Sequence, residues 1–247
     1  MHDTVAHSAV SDALVKFALG PVPGQADAAL EAARRAVAHA RTRTVDAGDA
    51  GGTSEEVARL LRSQGSPHDA RVQAWTLGAL LAGDAPSSPA AAVVAAAVTI
   101  GDRVAATERQ IAAAAAIGIE AAARVQRAVD SSEYRARWNV ASSLGVLGAS
   151  LAVARLLGLD EDRTRHALGV AATQAAGLAR NAGQTMEAVE IGKAAADAIE
   201  AALIAKHGFT SAPASIDGRR GLAALMAYRF DAGAIVVDDS AQWVTHA

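Results

Sequence analysis

Residues 134–177, YRARWNVASSLGVLGASLAVARLLGLDEDRTRHALGVAATQAAG, read as two apolar helices joined by a sharp turn. Val140, Leu144, Leu147, Leu151 and Ala154 recur at three- and four-residue intervals, the spacing that gathers side chains on one helical face. Gly145, Gly148, Ala149 and Ala152 leave room for another helix to approach closely. Leu157-Gly158-Leu159 stops the first helix, with Gly158 suited to the left-handed position that ends many helices. Asp160 is a natural N-cap for the second, and Glu161 and Asp162 in its first turn suit the helix dipole.

Outward from this hairpin, composition supports the same class. The chain has 247 residues and 51% hydrophobic content, enough for a sizeable core, yet aromatics make up only 3%. A core of Ala, Leu and Val favours helices packed at short distance, whereas a sheet would need alternating runs of Ile, Tyr, Phe and Thr. The expected fold is therefore all-α. A formal charge of -3, from 23 basic and 26 acidic residues, gives no reason to expect nucleic acid or an anionic membrane as partner. The absence of cysteine excludes disulfides, thiolate catalysis and Cys-ligated metals, and suits a reducing cytosol. Residues 1–11 are largely polar and do not read as a targeting signal, and the most apolar run, Ala90 to Ile100, is too short to span a membrane. A soluble, cytoplasmic protein is expected, with no metal or organic cofactor implied.

In chain order, the reading is one helical domain over residues 1–247, in which residues 1–23 form a loosely attached N-terminal helix and residues 231–247 a tail. A helix over Asp27–Ala47 is followed by a glycine-rich break at Gly48–Thr53, a short helix ending at Gln64, and another running toward Leu81. The small, apolar residues from Ser87 to Ala128 predict buried helix interrupted at Gly101-Asp102. RNAGQT, residues 180–185, is a polar loop leading into a helix over Met186–Lys206. Ala234-Ile235-Val236-Val237 is the one plausible strand.

Four stretches carry a resemblance. ARRAVAHARTRTVDA, SSLGVLGASLAVARLLGLDEDRTRHALGVAATQAAGL, TMEAVEIGKAAADAIEAALIAKHGFTSA, and GRRGLAAL with a later Trp243 occur in the order found in the MmgE/PrpD family, and the chain resembles that family over most of its length. The family includes 2-methylcitrate dehydratase and cis-aconitate decarboxylase. The resemblance implies a domain of many packed helices, usually in a homodimer, and it implies a separate α/β lid domain after the region of Trp243. This chain is expected to present the helical domain without the lid.

The resemblance also implies where chemistry belongs. Where the family typically has Gly-Trp-His, this chain reads Arg137-Trp138-Asn139, so an amide replaces an imidazole and cannot exchange a proton near neutral pH. Where the family reads Met-Thr-Lys and then His, Ala, Gly, the chain has Glu187 and then Glu190, Ile191, Gly192. In the run Ala74–Ala85 only Asp84 remains of the family's charged positions, and its His-Pro appears as Ser88-Pro89. Dehydration of a tricarboxylate by the family's mechanism is not expected from such a set.

What remains is a pair of carboxylates. Glu187 and Glu190, three apart and so on one helical face, can serve as acid and base on a small neutral or cationic substrate. If family geometry holds, Asn139 orients the substrate and Tyr134, Arg135, Trp138, Asn181 and Gln184 line the same cavity, with Asp84 and Ser88 near it. The expected activity is that of a lyase, isomerase or cyclase without a cofactor. The competing reading makes the two glutamates ordinary N-terminal helix charges in a non-catalytic ligand-binding or partner-subunit protein. His68, His166 and His207 lack partners at metal-ligand spacing and read as surface or capping residues. A homodimer is expected, with Ala112–Ala116 as a flat face for a second copy.

Overall fold

A computed structural model describes residues 8–45, 53–64, 68–84, 88–236 and 243–245. Twelve α-helices lie among these residues: α1 (Ala9–Leu19), α2 (Asp27–Val45), α3 (Thr53–Gln64), α4 (Ala70–Ala82), α5 (Ala90–Arg103), α6 (Glu108–Val129), α7 (Ser132–Arg137), α8 (Val140–Leu156), α9 (Glu161–Gln174), α10 (Thr185–Lys206), α11 (Leu222–Met226) and α12 (Gly233–Val236). No strand occurs among the described residues, so the class is all-α. Of the stretch read as a strand, Ala234, Ile235 and Val236 belong instead to the short α12, with Ile235 buried, and Val237 lies outside the described residues. A single short apolar run lacks a second strand to pair with, and a lone strand leaves its backbone groups unsatisfied. The glycine-rich break before Thr53 lies outside the described residues.

The turn inside the hairpin forms as its residues dictate. Gly158 takes φ +63, Leu159 N–H donates to the Ala154 carbonyl and Gly158 N–H to the Arg155 carbonyl. These two bonds are the Schellman pair that closes a helix C-terminus. Asp160 then accepts from Arg163 N–H at 2.8 Å and starts α9. The predicted interruption near Gly101 is also real: α5 stops at Arg103, and Thr107 and Gln110 form a reciprocal capping box that starts α6.

α8 is more deeply placed than one apolar face would require. Every residue from Ala141 to Ala154 is buried, and α5, α6, α9 and α10 surround it. A helix apolar on all sides belongs in the centre of a bundle. Close approach is possible because the crossings fall on glycine. A Cβ on Gly118 of α6 would lie 2.6 Å from the Gly148 carbonyl oxygen of α8, and one on Gly78 of α4 would lie 2.8 Å from the Gly192 Cα of α10. The alanine run Ala112–Ala116 is used in this same packing: Ala112, Ala114, Ala115 and Ala116 are buried within the chain, so they offer no free face to a second copy.

The N-terminal helix and the segment 243–245 meet over α6. Glu120, 1% exposed, accepts from Arg124 and Arg127 and from the Val244 N–H. Arg124 also lies over the Phe17 ring at 4.0 Å, and Phe17 packs against Trp243 with centroids 5.1 Å apart. No helix among the described residues is long and apolar enough to cross a membrane.

The glycine crossings predict a sharp asymmetry. Gly148→Ala should lower unfolding stability by about 1–3 kcal/mol, because α6 and α8 must separate. Gly24→Ala, where a Cβ meets nothing within 4 Å, should stay within about 0.5 kcal/mol of the parent in the same denaturant titration.

Candidate functional site

The loop between α9 and α10, residues 175–184, is where the sequence candidates meet. It is held from one side by the start of α8. Asn139 N–H donates to the Gly177 carbonyl at 3.0 Å, Ser142 Oγ donates to the Ala176 carbonyl at 2.9 Å, and Trp138 forms an isolated antiparallel bridge with Leu178. From the other side it is held by α10. Glu190 Oε1 accepts from the Leu178 N–H at 3.2 Å and from Asn181 Nδ2 at 2.5 Å, and Glu187 Oε2 accepts from the Gly183 N–H at 2.8 Å.

Between these two anchorages lies a cleft of about 220 Å³, lined by Ser142, Gln174, Ala176, Gly177, Glu190, Lys193, Ala194 and Asp197. Glu190, Lys193 and Asp197 stand at i, i+3 and i+7 of α10 and so share a face. Lys193 Nζ donates to Asp197 Oδ1 at 2.5 Å and lies 5.7 Å from the centre of the Trp75 ring. Trp75 is itself fixed by its Nε1–H donating to the Val189 carbonyl at 3.0 Å. Burial pushes the Asp197 carboxyl above its ordinary value, and the neighbouring Lys193 offsets this only in part. Two acceptors in the cleft wall, Glu190 Oε2 and Gln174 Oε1, are buried and have no donor.

The remaining candidates are distributed as follows. Asn139 is buried and caps α8, its Oδ1 accepting from the Ser142 N–H at 3.2 Å. It stands behind the cleft wall beside Gly177 and Ser142, and is not among the lining residues. Trp138 donates from Nε1 to the Met226 carbonyl and lines a neighbouring, larger cleft that shares Gln174 with the first. Arg135 is an exposed partner of Asp130. Gln184 is exposed and occupies the N-cap position of α10 without a side-chain bond. Asp84 pairs with His39 at 2.7 Å and, with Leu81 and Ala90, lines a separate cleft of about 420 Å³. Ser88 Oγ accepts from the Ala90 N–H at the start of α5. Two further clefts, of about 900 and 700 Å³, hold none of these residues.

Thus the structure brings together Glu190, Glu187, Asn181 and Asn139 around one loop, and leaves Arg135, Asp84 and Ser88 elsewhere. Lys193 and Asp197 were missed by sequence reasoning, although their spacing from Glu190 signals a shared face. No cluster of three or more His, Asp or Glu suited to a metal ion occurs among the described residues.

Tyr134 is a core residue. It is 1% exposed, its hydroxyl shares a 2.9 Å hydrogen bond with Ser143 Oγ, and burial raises its pKa to about 12 despite that bond. A group whose folded pKa is raised stabilises the fold fully below its unfolded pKa, near 10, and loses that contribution as pH climbs toward 12. Tyr134→Phe should cost about 1 kcal/mol at neutral pH, since Ser143 keeps its bond to the Asn139 carbonyl, and should flatten the alkaline fall in stability followed by unfolding at stepped pH.

Comparison with known proteins places the cleft within a recognised region. The model of the MmgE/PrpD N-terminal domain matches residues 83–233, which include every residue lining the cleft. Cis-aconitate decarboxylase from Homo sapiens is 31% identical over 112 residues, which is 45% of this chain and 23% of that protein. Cis-aconitate decarboxylase from Aspergillus terreus is 34% identical over 98 residues, 39% of this chain and 20% of that protein. The aligned parts therefore span less than a quarter of either relative.

Proposed function

Because this chain belongs to the MmgE/PrpD family, we propose that it is a divergent enzyme of lyase, isomerase or cyclase type, moving a proton on a small substrate that is not a tricarboxylate, with Glu190 as the acid–base group. The observation that carries this reading is the buried, unpartnered Oε2 of Glu190 in a cleft that also holds Lys193 and Asp197. Oε1 is committed to two donors, which fixes the carboxylate and leaves Oε2 as its one uncommitted oxygen. Such an oxygen can take a proton from an acidic C–H. The electron pair then moves toward an adjacent carbonyl oxygen, where the Lys193 ammonium offsets the developing charge. The proton is returned to another carbon in an isomerisation, or to a departing hydroxyl in an elimination.

The relatives are named for cis-aconitate, which carries three carboxylates. In this cleft two carboxyl side chains stand against one ammonium, so a trianion meets repulsion at close range and low dielectric. The volume, below the ~300–1,000 Å³ usual for larger ligands, argues for a compact substrate. Glu187 is the weaker of the two glutamates for catalysis, because its one recorded bond ties down the Gly183 backbone. A homodimer and the absence of a cofactor belong to the same proposal. The second reading, a non-catalytic ligand-binding or partner subunit, draws on the same anchoring bonds: both glutamates hold backbone N–H groups of the loop.

The two readings separate by mutation. In deuterated water, proton exchange into a panel of small C–H acids, followed by NMR, should fall about 10²–10⁴-fold in Glu190→Gln and less than about tenfold in Glu187→Gln. Exchange that survives in Glu190→Gln, or that never rises above the rate without protein, would favour the non-catalytic reading. Light scattering tests the dimer.

A further inference from the structure

Two of the residues lining this cleft carry buried acceptors without donors, and the one cation in its lining is already engaged. Glu190 Oε2 and Gln174 Oε1 have no hydrogen-bond partner, while Lys193 donates to Asp197 and is held over Trp75. Folded proteins rarely leave such acceptors unmet, and two of them on residues that line one small cleft are the observation from which a ligand with matching donors is argued. Building on the proton-transfer reading of the same cleft, we infer that its ligand is a small organic cation carrying at least two N–H donors, of the amidinium or primary ammonium class.

Charge, reach and size agree on this class. The two carboxyl groups outnumber the ammonium, so the cleft favours a positive ligand over a neutral or negative one of equal shape. Glu190 and Asp197 are seven residues apart on α10, about 10 Å along the axis, so no single metal ion is held by both. Gln174 comes from the end of α9 and Glu190 from the start of α10, and a forked donor such as an amidinium presents two parallel N–H groups to acceptors on two walls. The cleft of about 220 Å³ restricts the ligand to a few heavy atoms near the acceptors. Lys193, half exposed, stands one turn further along and can donate to a carbonyl or carboxylate at the far end of a longer ligand.

The test uses three compounds of one shape and different charge: acetamidinium, acetamide and acetate, titrated into the full chain at constant ionic strength and followed by backbone amide chemical shifts. Acetamidinium should bind most tightly and acetate least, with at least a tenfold difference between them. Glu190→Gln, which retains the Oε1 acceptor that anchors the loop, should abolish this order. Gln174→Leu should weaken acetamidinium about tenfold while leaving acetate unchanged, with circular dichroism confirming the fold in both variants. Acetate binding as tightly as acetamidinium, or an order that survives both substitutions, would overturn the inference. A chain that prefers acetamidinium but catalyses no C–H exchange would sink the proton-transfer reading alone, and exchange without any preference for the cation would sink this one alone.

Discussion

Where α8 crosses α6, and again where α4 crosses α10, glycine stands against glycine and backbone touches backbone. Neither crossing tolerates a Cβ without separating the helices. Packing at that distance brings the short side chains of an alanine-rich core into contact, so a chain with 3% aromatic residues still fills its interior. The burial of α8 from Ala141 to Ala154 follows from the same constraint, since four neighbours can surround a helix only if its own surface is nearly flat.

The loop of residues 175–184 depends on this framework. Its carbonyls at Ala176 and Gly177 receive donors from the first turn of α8, and its N–H groups at Leu178 and Gly183 are met by carboxylates of α10. With both sides fixed by buried helices, the cleft between them is defined by rigid elements. Asn139 contributes as a cap and a backbone anchor, and Glu187 through its bond to Gly183. Glu190 alone does two things, since one oxygen holds the loop and the other is left in the cleft wall. The raised pKa of Asp197 marks the same cleft as a place where burial has shifted a carboxyl group's proton affinity.

The hairpin was legible because its signals are local. Gly158, Asp160 and the three- and four-residue spacing of the leucines act within a turn of where they are read, and each took its expected role. The strand expected near Ala234 failed for the opposite reason, because a strand needs a partner that a single sequence cannot display. The site was half legible. Glu190 stood out at a family position and Asn181 in the polar loop before it, and the two do meet. Lys193 and Asp197 passed unnoticed because a Lys-Asp pair four apart on a helix usually means a solvated surface pair, and only the fold reveals that Asp197 is buried. Tyr134 and Arg135 are adjacent in sequence to Trp138 and Asn139, yet the short α7 sends one into the core and the other to solvent.

α10 carries both a close glycine crossing and the candidate chemistry, on different faces. Gly192 is pressed against Trp75 and Ala79 of α4, while Glu190, Lys193 and Asp197 look onto the cleft. Descent can therefore act on the two faces independently. The small residues that lock α10 in place admit no larger side chain unless the helices move apart. The polar residues one or two positions away rest on no such backbone contact, so a change of charge at Glu190, Lys193 or Asp197 alters what the cleft attracts while leaving the glycine crossing intact. In a protein built this way, likeness of sequence reports the lineage of the scaffold, and the charge carried by a handful of neighbouring positions reports its present use.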